Sequence, residues 1–128
     1  MGFLDKLFNA EQASLREDWK VLYRIEQLEE IKKASYNKPA VIFKHSISCG
    51  ISGMAKYKLE ENWNFQDEDL DFYYLDLINN RPVSNAVAQT FNVVHQSPQI
   101  LVIKDGVSIY DTSHHMVGVP AIKKALEA

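Results

Sequence analysis

The sequence contains a single cysteine, Cys49, among its 128 residues. One thiol cannot close a disulfide within the chain, and it rules out a metal site built from several thiolates of the same chain. A reducing, intracellular compartment is therefore expected. Long apolar runs are also missing, and none approaches the roughly 20 residues that span a bilayer. The first eight residues carry no signal-peptide pattern, because Asp5 and Lys6 interrupt the apolar cluster. Lys6 also stands where a myristoylation signal wants serine or threonine. The cytoplasm is the expected location. Basic blocks are absent: 14 basic against 17 acidic side chains leave a formal charge of −3, which sets nucleic acid aside as a partner. Repeats and low-complexity segments are lacking too. What remains is enough chain for one domain with a real hydrophobic core.

The informative stretch runs from Ala40 to Ala55. Ala40-Val41-Ile42-Phe43 is a short apolar run bounded by Pro39, the pattern of a buried strand. A polar turn follows, and Cys49 falls where a helix should begin. A helix N-terminus offers unpaired N–H groups and the positive end of the macrodipole, which favour a thiolate over a thiol. Only the thiolate attacks a disulfide sulfur. Strand, turn and cysteine together predict a reactive sulfur.

Around this stretch the elements follow in order. Phe3, Leu4, Leu7 and Phe8 share one face of a short helix, read either as a weak membrane or partner anchor or as a tail that docks on its own domain or frays. Residues 1–17 are therefore set apart as an N-terminal tail or short amphipathic helix from the domain at 18–128. Trp19 to Tyr23 reads as a first strand. Ile25, Leu28 and Ile31 recur at helical spacing, and after Cys49 the set Ile51, Ala55, Leu59 and Trp63 marks a second helix's buried stripe. Leu70 to Leu77 reads as a strand. Pro82 suits a first helical position, and Val83, Ala86, Val87, Thr90 and Phe91 make a helical face. Gln99 to Lys104 is a strand, and Asp105-Gly106 signals a hairpin to Val107–Tyr110. His114 and His115 fall in a loop where neighbours point to opposite sides, so both are expected at the surface. Pro120 opens a terminal helix with Val119, Ile122 and Leu126 inward. Strands alternating with helices imply parallel βαβ units with an antiparallel edge, and ligands on such sheets collect at the strands' carboxyl ends, where Cys49 sits.

From about Trp19 onward the chain resembles the thioredoxin superfamily. Within it, the sequence is similar to the YtxJ-like monothiol bacilliredoxins, through Phe43-Lys44-His45-Ser46 followed by Cys49-Gly50-Ile51-Ser52 and, further on, Ser97-Pro98 before a strand and an Asp-Gly hairpin. The resemblance implies a thioredoxin-like α/β fold: a central mixed sheet with helices on both faces. It implies a monothiol disulfide oxidoreductase that removes a low-molecular-weight thiol, bacillithiol, from client proteins through a mixed disulfide at Cys49. Ser52 stands where dithiol relatives carry a resolving cysteine, so a second molecule's thiol must complete the cycle. Its hydroxyl is also placed to bond the Cys49 sulfur. Lys44 and His45 are expected either to stabilise the thiolate or hold the small thiol, together with Gly50, Ile51 and Ser52, or to be solvated strand-end residues. Ser97 and Pro98, joined by a cis bond, are expected to contact the substrate backbone. No metal and no bound cofactor are needed. Cys-Gly-Ile-Ser is also similar to the Cys-Gly-Phe-Ser of monothiol glutaredoxins, which implies an alternative role in iron–sulfur cluster binding or transfer. A non-catalytic interaction module is the third reading.

Overall fold

The computed structural model describes residues 15–127. The apolar face expected over Phe3, Leu4, Leu7 and Phe8 lies outside them. The five strands among the described residues are β1 (Trp19–Val21), β2 (Ala40–His45), β3 (Asp71–Asp76), β4 (Gln99–Lys104) and β5 (Val107–Ser113). The helices are α1 (Gln27–Ala34), α2 (Gly50–Glu61), α3 (Arg81–Phe91) and α4 (Val119–Glu127), with a 3₁₀ turn at His114–Met116. The strands form one sheet in the order β1-β3-β2-β4-β5. β1, β3 and β2 are parallel, whereas β4 pairs antiparallel with β2, and β5 antiparallel with β4. This is the expected mixed α/β architecture. No described helix is long and apolar enough to cross a membrane.

β2 lies at the centre with all six residues buried, which accounts for its unbroken apolar run. Its side chains alternate between two cores. Val41 and Phe43 join Phe72, Tyr74, Ile100 and Val102 beneath Ala55 and Leu59 of α2 and Ile122 of α4. Ala40 and Ile42 join Leu75, Leu101 and Ile103 beneath Leu28 and Ile31 of α1 and Val83, Val87 and Phe91 of α3. Each fully buried large side chain contributes roughly 1.5–3 kcal/mol.

The antiparallel pairing of β2 with β4 does most to build one functional edge. Phe43 opposes Ile100 and Lys44 opposes Gln99. The carboxyl end of β2, which leads to Cys49, therefore lies beside the start of β4, which Ser97-Pro98 precedes.

Local expectations needed correction in three places. Ile25 precedes α1 and is exposed; the Gln27 side chain instead starts the helix, accepting the N–H groups of Tyr23 and Arg24. Ile51 is 43% exposed, and the buried stripe of α2 is Ser52, Ala55 and Leu59. The first turn of α2 follows a strand that ends at His45, so one side of that turn has no apolar layer to cover. In α3 the stripe rotates towards Ser84, leaving Thr90 exposed. Leu15 lies against the core, and Asp18 accepts the indole N–H of Trp63, whose ring meets Trp19 and Phe72 edge-on.

The Asp105-Gly106 turn forms as expected, with φ of 54° and 81°. It is tied to the end of α1, since the Gly106 N–H donates to Ser35 Oγ at 2.8 Å. A Cβ on Gly106 would also lie 2.8 Å from Tyr36 Oη. Gly106→Ala is expected to lower stability by about 1 kcal/mol, read as a shifted urea midpoint with an unchanged slope.

Candidate active site

The turn out of β2 closes with the Cys49 N–H donating to the Ser46 carbonyl at 3.2 Å. Cys49 is the N-cap of α2, with an extended backbone (φ −109°, ψ 122°) and a carbonyl that accepts the Gly53 N–H at 3.0 Å. Its side chain makes no capping bond and is partly exposed. The first turn of α2 carries no acidic residue. The sulfur thus sits at the positive end of the helix with no carboxylate in that turn to offset it.

Ser52, one turn on, is fully buried. Its Oγ accepts the Ser46 N–H at 2.9 Å and lies 2.7 Å from His45 Nδ1. A hydroxyl can accept the one and donate to the other, so Ser52 locks the active-site turn to the strand end. The expected bond to the Cys49 sulfur does not form, because the hydroxyl faces inward. His45 is likewise buried, its ring against Phe43 and Tyr74. It therefore braces the turn from beneath and is not a solvated strand end. Ser52→Ala removes the hydroxyl that bonds the buried Ser46 N–H and His45 Nδ1 and is expected to destabilise the protein by about 2 kcal/mol, measured by thermal or urea unfolding.

Lys44 requires the largest correction. Strand alternation sends its side chain to the α3 face, away from α2 and the sulfur. It is completely buried, and its ammonium donates to the Ser84 carbonyl and to His95 Nδ1, both at 3.1 Å. Burial lowers its pKa from 10.5 to about 8. His95, which the sequence left in a connecting loop, is held below its usual value by burial and by the nearby Lys44 and Arg81 charges. The missed signal was the lysine's place two residues after Ile42 in a buried strand: a cation there needs acceptors from the helix and loop that cover it.

Ser97–Pro98 is a cis peptide bond, and Ser97 Oγ is buried with no hydrogen-bond partner. Gln99 secures the preceding loop, its side chain accepting the Gln96 N–H and donating to the Val94 carbonyl. The Pro98 carbonyl accepts the His114 N–H at 2.9 Å, joining this segment to the 3₁₀ turn. Between that turn and the start of α2 lies a pocket of about 470 Å³, lined in part by Gly50, Ile51, His114 and His115. The two histidines converge on one cavity. A Cβ on Gly50 would meet nothing within 4 Å, so packing does not demand glycine there.

A family model described as monothiol bacilliredoxin BrxC matches residues 20–122. The chain belongs to the monothiol bacilliredoxin family. Among solved structures, a protein assigned as an oxidoreductase with a thioredoxin fold shares 30% identity with this bacilliredoxin-family chain at a TM-score of 0.71, the match covering 84% of this chain and 93% of the other. The thioredoxin of Malassezia sympodialis superposes with a TM-score of 0.67 at 17% identity, covering 88% of this chain and 90% of its own. Fasciola hepatica thioredoxin does so at 0.64 and 19%, covering 84% and 96%. The last two likenesses concern the fold alone. Membership of the bacilliredoxin family carries a thiol redox role, and the family's single-thiol character matches the one cysteine and the inward-facing Ser52.

Proposed function

We propose that this protein strips a low-molecular-weight thiol, bacillithiol, from modified cysteines of client proteins. The Cys49 thiolate attacks the small-thiol sulfur of the client mixed disulfide, and the client sulfur leaves as a thiolate that takes up a proton. A second small thiolate then attacks the captured small-thiol sulfur. This step frees Cys49 and releases the small thiol as its symmetrical disulfide. One bond forms and one breaks in each step, so no metal or bound cofactor enters. Exposed Ile47 and Ile51 flank the sulfur and offer apolar contact to a client. The cytoplasm, where small thiols are kept reduced, suits this cycle.

The observation that carries the reading is the Ser52 hydroxyl, buried and bonded to His45 and Ser46 where an internal resolving thiol would have to be. The test is intact mass spectrometry of the protein mixed with a bacillithiol-modified client. The expected result is the adduct mass moving onto Cys49 while the client becomes reduced. An adduct that stays on the client would overturn the reading.

A further inference from the structure

We propose that the pocket between α2 and the 3₁₀ turn binds the carboxylate-bearing part of the small thiol. The proposal rests on the thiol-transfer reading and names the ligand chemistry of that same site. Its position is suitable: Gly50 and Ile51, the two residues that directly follow Cys49 in the chain, form one wall, which puts the pocket next to the start of the helix that Cys49 caps. At about 470 Å³ it is the size of small-molecule sites.

The lining has one sign of charge. Its charged and titratable side chains are Lys58, His114 and His115, and no carboxylate is among them. Neighbouring acids on α2 are directed elsewhere: Glu60 pairs with Lys56, and Glu61 accepts the Tyr57 hydroxyl. Lys58 forms no ion pair among the described residues. Ile51 and Met54 supply an exposed apolar wall for the neutral part of the ligand.

The backbone supplies an independent observation. His114 has φ +57°, a left-handed conformation that is uncommon for a residue with a side chain. The bond from its N–H to the Pro98 carbonyl holds it there, and its Nδ1 lies 3.0 Å from Ser113 Oγ. In extended chain, adjacent histidines diverge. The left-handed residue and the turn that follows bring both to the same cavity. Backbone strain of this kind concentrates at ligand sites, where surrounding structure holds it in place. Two imidazoles and an ammonium are hydrogen-bond donors suited to one or two carboxylates.

The test uses the full chain and one client peptide carrying either mercaptosuccinate, a dicarboxylate, or neutral mercaptoethanol on its cysteine. The wild-type protein is expected to accept mercaptosuccinate with a kcat/KM about tenfold above that for mercaptoethanol. Lys58→Ser combined with His115→Ser, both at exposed positions, should bring the two within about twofold. Equal transfer of both groups by the wild type would overturn the pocket proposal while leaving thiol transfer intact, as would a preference that survives in the variant. If neither group moves to Cys49, the thiol-transfer reading falls and this proposal with it. A carboxylate could also come from the client. Faster mercaptoethanol transfer from a peptide with Asp beside its cysteine than from the Asn version, without the mercaptosuccinate preference, would assign the pocket to the client and overturn the proposal. Succinate alone gives a readout without chemistry: the His114 and His115 ring signals should shift saturably by NMR, and no shift counts against the site.

Discussion

Cys49→Ser is expected to reduce thiol transfer to the uncatalysed background, a loss of roughly a thousandfold or more. The reason is chemical. A serine hydroxyl is scarcely ionised near neutral pH, and its oxygen cannot form the mixed disulfide through which the group moves. Cys49 is the only cysteine in the chain, so no second sulfur can substitute. The fold should survive, because the side chain is partly exposed and makes no capping bond, so the small loss of volume on replacing sulfur by oxygen opens no buried cavity. Serine is also among the preferred N-cap residues. Unfolding is expected to change by less than about 0.5 kcal/mol, as for other surface substitutions. Adduct transfer by mass spectrometry, paired with a circular dichroism melt, checks both halves. A folded variant that still accepts the adduct would remove Cys49 from the mechanism.

Stability is expected to rise with pH between about 8 and 10, and Lys44 is the source. Its ammonium is buried against a carbonyl and an imidazole, and its pKa falls from 10.5 to about 8. Below pH 8 the lysine is protonated in both the folded and the unfolded chain, and the folded state bears the full cost of the buried charge. Between 8 and 10.5 the unfolded chain holds the proton more tightly, so raising the pH favours the folded state. Complete passage through this window corresponds to a gain on the order of 3 kcal/mol. His95 contributes with the same sign but at lower pH, because its depressed value affects stability only below about its ordinary 6.5. Tyr57 and Tyr73 act oppositely above pH 10: the Glu61 hydrogen bond raises the first, burial the second. Urea unfolding at pH 7.5, 8.5 and 9.5 reads the effect, with Lys44→Met as the control. Methionine fills similar space without a titrating group, so its midpoint should stay flat where the wild type climbs. A wild-type curve parallel to that of Lys44→Met would refute the assignment.

Lys44 also marks the limit of what could be read from the chain. Its alternation with Phe43 and its two-residue spacing from Ile42 were visible. Which of these side chains pointed towards α2 was not, because that depends on the side of the sheet to which the crossover delivers the helix. The same limit applies to Ile51. Four-residue spacing placed it with Ala55 and Leu59, but a helix buries its first turn only where a layer exists to meet it, and β2 stops at His45. His114 and His115 were expected to diverge as neighbours in extended chain. A left-handed residue, held by a bond to Pro98 sixteen positions earlier, brings them together.

Contiguous residues by themselves determined the order of strands and helices, the Asp105-Gly106 turn and the single-thiol character of the site. Periodicity, turn chemistry and a residue count are local properties, written within a few positions of where they act. Only the tertiary structure decided that Lys44 faces away from the sulfur, that the Ser52 hydroxyl binds His45 and Ser46, and that two histidines close a pocket beside Cys49. Those outcomes depend on which distant segments share a face, and the packing of helices on a twisted sheet settles that.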